Sequence, residues 1–287
     1  MKAWDVETLT EVQLTCQLVD GTTIKIAVGT NPERVSLTRS NLKEIDLIPL
    51  RSCDGLVWLD LAHNQLNEVD LSQLGLECGV EKLSLSYNPL QRIDLKSLMD
   101  WKELKILRLT GCELKVIDLE PLAALKKLEQ LSITYNHLEE VDLSPLASCT
   151  NLEILTMNRN KFTHLDLKPL AECSQLKTLN IGDNRLQKID LAPLKACTKL
   201  YSLVINKTQL ESIDLRPLES LTTLQGLDLS ENRLKMVDLR PLPFCNDMYE
   251  VKLENNPLDS LIVPKGFKCT ALKLNVGYEL AMIEREG

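Results

Sequence analysis

Aromatic residues make up only 4% of this 287-residue chain, and glycine occurs just 11 times. The first shortage means that any core must be filled by aliphatic side chains. The second leaves little material for phosphate-cradling loops, and neither G-x-G-x-x-G nor G-x-x-x-x-G-K occurs. Also missing are a G-x-S-x-G nucleophile elbow and a C-x-x-C pair. No apolar run reaches 18 residues, and the opening MKAWDVETLTEVQ lacks the apolar stretch of a signal peptide. Positive charge is in deficit: 33 Lys and Arg stand against 41 Asp and Glu, a formal charge of −8. Phosphate backbones and anionic membranes demand clustered cations, so neither nucleic acid nor membrane is an expected partner. These absences predict a soluble, cytoplasmic protein that uses no cofactor.

What the chain has instead is a period. Asp46, Asp70, Asp94, Asp118, Asp142, Asp166, Asp190, Asp214 and Asp238 follow one another at intervals of 24 residues without a gap. Ahead of each lies a segment like LVWLDLAHNQL (56–66), apolar at its first, fourth, sixth and eleventh places and Asn at its ninth. The ninth place is held by Asn64, Asn88, Asn136, Asn160, Asn184, Asn232 and Asn256. Cys112 and Thr208 replace it in two copies, and Ser40 holds it in a degenerate first copy. Stretches such as LKTLNI alternate like a short strand. The PLAECSQL that follows reads as a helical turn, with proline at the first helical position where it loses no hydrogen bond. One copy cannot close a core, whereas stacked copies bury a continuous one.

Nine cysteines could suggest a disulfide framework, but six of them (53, 149, 173, 197, 245 and 269) share one phase of the repeat. Trp101, Leu125 or Leu221 fills that phase elsewhere. A place that alternates among Cys, Leu and Trp is a core place. Stacked neighbours such as Cys149 and Cys173 would lie close enough to bridge if oxidised, and a reducing cytosol predicts thiols.

The pattern L-x-x-L-x-L-x-x-N-x-L over roughly residues 32–263 resembles the leucine-rich-repeat family, in which Cys is a recognised substitute at the Asn place. The resemblance implies an α/β fold: a right-handed, curved solenoid with a parallel concave β-sheet and short helical or 3-10 turns on its convex side. A single domain is expected over 1–287, comprising an N-terminal cap (1–31), the repeats (32–263) and a C-terminal cap (264–287). Asp20-Gly21, between the alternating runs of VQLTCQLVDGTTIKIAV, predicts a β-hairpin in the first cap. The family's usual role implies an interaction surface. The I-D-L-x-P-L half departs from the ribonuclease-inhibitor type, and the cysteine-capped ends of extracellular receptors are not found. It looks nearer to short cytoplasmic repeats, from which no partner-binding residue carries over.

The nine aspartates pose a choice between chemistry and architecture. A calcium site needs six to eight convergent oxygens, and one carboxylate per repeat supplies too few. A catalytic pair needs two carboxylates in contrasting environments, whereas these nine look alike. Placed just before a helical turn, each can accept backbone N–H groups, so the row is read as a structural ladder. The asparagines form a second ladder, pairing turn backbone that stacking would otherwise bury. His63, His137 and His164 do not converge in the repeat register and are read as surface residues, so neither a metal site nor an enzymatic activity is expected.

What varies between copies is the outward set of the strand and its turn, where a rigid scaffold tolerates change. In the N-terminal half these places carry Trp58, Tyr87, Ile106, Arg108, Tyr135, Ile154 and Arg159, rich in the Trp, Tyr and Arg that anchor interfaces. They are the candidate partner-binding residues. Towards the C-terminus Asp183, Asp228, Glu231, Glu250 and Glu254 form an acidic rim around Lys207, and Tyr201 and Tyr249 extend an aromatic edge. The expected function is that of a monomeric, non-enzymatic scaffold binding a protein partner on its concave face. Two alternatives stay open: a ligand-sensing fragment of a larger signalling or effector protein, and a purely structural or assembly element.

Overall fold

Apolar side chains at alternate places turn one short segment of every copy into a strand with a buried central residue. In Trp58–Asp60, Leu59 is fully buried while its neighbours are only partly covered. The computed structural model describes residues 11–76, 78–242, 250–265, 272–274 and 281–285. Four strands open the chain: β1 (Gln13–Leu18), β2 (Thr23–Ala27), β3 (Arg34–Ser36) and β4 (Leu42–Ile45). Then come β5 (Trp58–Asp60), β6 (Lys82–Ser84), β7 (Ile106–Arg108), β8 (Gln130–Ser132), β9 (Ile154–Thr156), β10 (Thr178–Asn180), β11 (Ser202–Val204) and β12 (Gly226–Asp228). The described chain ends with β13 (Met236–Asp238), β14 (Glu250–Lys252), β15 (Ser260–Pro264), β16 (Leu272–Lys273) and β17 (Ala281–Arg285).

One 11-stranded sheet runs in the order β16-β14-β12-β11-β10-β9-β8-β7-β6-β5-β3, all of it parallel. From β3 to β14 each residue pairs with the one 24 places on, as Trp58 does with Lys82 and Lys82 with Ile106. Opposite the sheet, short 3-10 turns such as Glu120–Ala124, Ser144–Ser148 and Lys168–Glu172 stack on one another. Between the two layers lies a core of leucines, with Trp101 and Phe162 its largest fully buried side chains. Cys149, Cys173 and Cys197 sit in that core as free thiols, each donating to a carbonyl 27 residues upstream, on Leu122, Leu146 and Leu170. Burial pushes these thiols up, to about 11 for Cys149 and Cys197 and to about 12 for Cys173, so they remain protonated donors.

Buried asparagine amides join neighbouring copies. Asn136 Nδ2 donates to Ile133 O (3.0 Å) in its own turn and to Leu109 O (2.9 Å) one copy back. Its Oδ1 accepts from Cys112 N (2.9 Å) and Leu114 N (3.0 Å). Asn64, Asn88, Asn160, Asn184, Asn232 and Asn256 donate in the same two directions. Where Thr208 replaces Asn, its hydroxyl donates to Asn232 Oδ1 (2.7 Å), and Cys112 Sγ donates to Leu85 O (3.3 Å). On the other side of the repeat, all nine periodic aspartates accept the backbone N–H two residues on, from Asp46 with Ile48 to Asp238 with Arg240, at 2.8–3.0 Å. These are Asx turns, the first eight of them at the mouth of a 3-10 segment.

The ends depart from the repeat. β1 and β2 form an antiparallel hairpin whose turn carries Gly21 at φ 86°, a value that suits glycine. β1 also pairs with β4, tying the hairpin to the first copy and closing its core with Leu14, Cys16 and Leu42. At the other end Met236–Asp238, the segment just ahead of the helical-turn place, pairs with β15 in a second parallel sheet, β13-β15-β17. Cys245, Cys269, Tyr249 and parts of both expected caps lie outside the described residues.

The two ladders predict different sensitivities. Asn136→Ala strands several buried backbone groups, so chemical denaturation should give a loss of about 3 kcal/mol. Asp142→Ala frees groups that water can reach and should lower the melting temperature less, with partner affinity unchanged. Acid provides a second measurement. Hydrogen bonds from Ser144 hold the Asp142 carboxyl below its ordinary 3.8, and Arg216 does the same for Asp214. A carboxyl depressed in the folded state stabilises above its unfolded pKa and loses that contribution as pH falls through the folded value. The double variant Asp142→Asn/Asp214→Asn should therefore melt below the parent near neutral pH, with the gap closing as pH falls through the lowered folded value.

Candidate concave binding face

The outward residues of the parallel sheet form rows with a partner at every 24th position, and the rows divide the concave face into a margin, a floor and an edge. The margin is the third place of each copy. Trp58 stands there between two cations, with the Arg34 guanidinium carbon 3.7 Å from the ring centroid and Lys82 Nζ 5.5 Å away. Its faces are occupied, leaving an indole edge for any partner. Ile106 and Ile154 continue the margin, each half-buried.

The floor is made of hydroxyls. Ser132 Oγ meets Thr110 Oγ1 at 2.9 Å and accepts from Thr156 Oγ1 at 2.8 Å, while Thr134 Oγ1 donates to Asn158 Oδ1 at 2.9 Å. Arg108 rises from this floor, exposed, with Nη2 3.3 Å from Gln130 Oε1.

The edge is the eighth place, just before the ladder asparagine, and there the backbone is left-handed in every copy from His63 to Asn255. Tyr87 has φ 57°, Tyr135 55°, Arg159 57°, Asp183 51°, Lys207 53° and Glu231 55°. Glycine tolerates this conformation, whereas other L-residues lose roughly 1–2 kcal/mol in it. His63 stacks on Tyr87 with ring centroids 4.4 Å apart. Gly111 follows, and a Cβ there would lie 2.7 Å from Tyr87 Cδ1 and 3.4 Å from Tyr135 Cδ1, so the missing side chain lets the two rings lean together. Arg159 packs 5.9 Å from the Tyr135 ring and pairs with Asp183 at 3.4 Å.

Tyr87, Tyr135 and Arg159 thus come together around an open hollow of about 630 Å³ that also includes Gly111. Arg108 borders a second hollow of about 460 Å³ beside Tyr87. Trp58, Ile106 and Ile154 lie across the floor from these, on the opposite margin. Gly111, the His63 stack and the Arg34 clamp were not singled out from sequence, although a glycine between two tyrosines in one row was visible there.

The acidic rim is largely paired: Lys207 meets Glu231 at 3.2 Å, and Lys252 meets Glu250 at 2.8 Å and Asp228 at 3.7 Å. A larger trough of about 1280 Å³ brings His137 and His164 to one surface with Glu139, Asp142 and Asp166, yet no group able to hold a metal ion occurs among the described residues. No helix among them is long and apolar enough to cross a membrane.

The family model for the leucine rich repeat matches residues 78–138 and 126–186. Among solved structures, a leucine-rich-repeat protein from Leptospira interrogans superposes with a TM-score of 0.66 at 22% identity, covering 83% of this chain and 58% of that one. Residues 78–186 are leucine-rich repeats of this family. Internalin C2 from Listeria monocytogenes is 29% identical, with a TM-score of 0.58, over 73% of this chain and 84% of its own. The functional domain of InlJ from Listeria monocytogenes, which includes a cysteine ladder, reaches 0.66 at 20% identity over 96% of this chain and 62% of that one. This chain therefore spans about three-fifths of the Leptospira protein and of the InlJ domain. No curated protein matches it in sequence.

The backbone of this leucine-rich-repeat edge predicts an inverted mutational pattern. Tyr135→Gly relieves a left-handed residue at about 1–2 kcal/mol and gives back about 0.5–1 kcal/mol as added freedom of the unfolded chain. Calorimetry should find it melting at or above the parent. Gly111→Ala drives a methyl into the Tyr87 ring and should melt lower.

Proposed function

We propose that this protein is a non-enzymatic scaffold that docks a protein partner on the N-terminal half of its concave face. The leucine-rich-repeat fold is in general a scaffold for protein interaction. The observation that carries the finer reading is the edge row, where bulky side chains persist at a position whose backbone favours glycine. Tyr87, Tyr135 and Arg159 are the central anchors, Arg108 rises beside them, and Ile106, Ile154 and the edge of Trp58 form the opposite margin. Rigid aromatic anchors over an adaptable hydroxyl floor suit recognition of a protein surface.

We place the protein as a monomer in a reducing compartment such as the cytoplasm. Cys149, Cys173 and Cys197 each donate to a carbonyl, and a disulfide would remove that donor. The aspartate and asparagine rows serve the fold and are kept out of the binding site.

The test is a paired capture from lysate of the source organism, using the parent and the Tyr87→Gly/Tyr135→Gly variant after matched melting has been checked. A protein retained by the parent and lost by the variant supports the concave site. Equal capture by both moves the site to another face. Concentration-dependent light scattering with no captured protein favours an assembly element instead.

A further inference from the structure

We propose that the segment docked on the N-terminal half of the concave face is acidic, and that its carboxylates seat over the hollow between Arg39 and Arg108. The inference rests on the concave reading above and adds the chemistry of the partner. The outward rows of β3 and β5 to β9, with their turns, carry Arg34, Arg39, Lys82, Arg108 and Arg159 against two carboxylates, Asp60 and Glu113, in a chain of net charge −8. Arg159 is committed to Asp183. The other four have no carboxylate within ion-pair distance among the described residues. Arg34 and Lys82 lie over Trp58, and Arg108 has only a 3.3 Å contact with Gln130.

Arg39 and Arg108 border the same hollow of about 460 Å³, with the hydroxyls of Thr38, Ser84 and Thr110 at its sides. Both arginines are exposed, and Arg39 projects from a left-handed residue at φ 56°. Asp60, the one acid in the hollow, turns an oxygen back to the N–H of Ala62 at 3.2 Å. Two guanidinium groups facing a hydroxyl-lined concavity supply the donors that a carboxylate takes up, in pairs when the geometry allows. Tyr87 borders the same hollow and offers apolar surface to the stem of a Glu or to a neighbouring apolar residue.

The charge pattern also fixes register. Beyond Arg159 the outward cations Lys207 and Lys252 are already paired with Glu231, Asp228 and Glu250, and Asp183 holds Arg159. An acidic segment therefore finds uncommitted cations at one end of the groove and paired ones at the other, which confers orientation and specificity more than raw affinity.

The experiment is selection of short random peptides displayed on phage against the full chain, followed by affinity measurements on the winners. The expected result is enrichment of peptides richer in Asp and Glu than the library. Their binding should weaken about tenfold in Arg39→Glu/Arg108→Glu, at unchanged melting temperature, and weaken again as salt is raised. Enrichment of neutral or basic peptides overturns the inference, as does an acidic peptide indifferent to the double charge reversal. The absence of any enriched peptide, or tighter binding of a single-stranded oligonucleotide than of the peptides, also overturns it. If neutral winners lose binding in Tyr87→Gly/Tyr135→Gly, the concave reading survives without the acidic partner. Winners insensitive to both pairs of substitutions end both proposals.

Discussion

Everything in this molecule depends on satisfying backbone groups that stacking removes from water. Each copy turns sharply after its strand, and the next copy covers that turn. The covered N–H and C=O groups cannot pair with one another in the geometry of the turn, and leaving them unpaired would cost more than a repeat gains. A buried carboxamide meets the need because it offers two donors and an acceptor in one plane. Asn136 uses all three functions, two of them across the boundary between copies. Thr208 and Cys112 carry fewer donors, and in both copies the next asparagine, Asn232 or Asn136, accepts the backbone N–H of the substituted residue besides that of the residue two on.

Because the amide spans neighbouring copies, it fixes the step between them at one strand spacing, and every side chain acquires its own counterparts at ±24 as neighbours. Like charges in a row would then repel, and the sequence interleaves cations: Glu81 meets Lys105 and Glu153 meets Lys177, both at 2.7 Å. Exposed pairs of this kind contribute little individually. Their value lies in avoiding a column of one sign. The aspartate row is the exception, since each carboxylate is engaged with its own Asx turn, and Arg216 and Arg240 clasp Asp214 and Asp238.

The step of 24 made the architecture legible from sequence. Knowing the row of each residue gives its register in the sheet, its burial and its neighbours, which is why the placement of Leu59, Trp101 and Asn136 could be read directly. What a row does not encode is the conformation of its members. That Arg34 folds onto Trp58 instead of leaving its ring open is a choice of rotamer. That Tyr87 and Tyr135 lean over Gly111 follows from a backbone φ that the L-x-x-N spacing leaves unspecified. The pairing of β4 with the hairpin and the second sheet at β13 and β15 were also hidden, because both lie where the repeat stops repeating.

The edge row shows where the fold's demands end. If the eighth place had only to turn the chain, Gly or Asn would serve, as Gly111 and Asn255 do. His63, Tyr87, Tyr135, Arg159, Asp183, Lys207 and Glu231 accept the left-handed conformation instead, at a cost of about 1 kcal/mol or more each. Summed over seven copies, that cost rivals the 5–15 kcal/mol by which ordinary domains are stable. Mutual pairing recovers only part of it, since Arg159 with Asp183 and Lys207 with Glu231 are exposed pairs worth at most about 1 kcal/mol each. The proposed docking face draws on that cost, because the row is held against the preference of its own backbone while its side chains stay exposed.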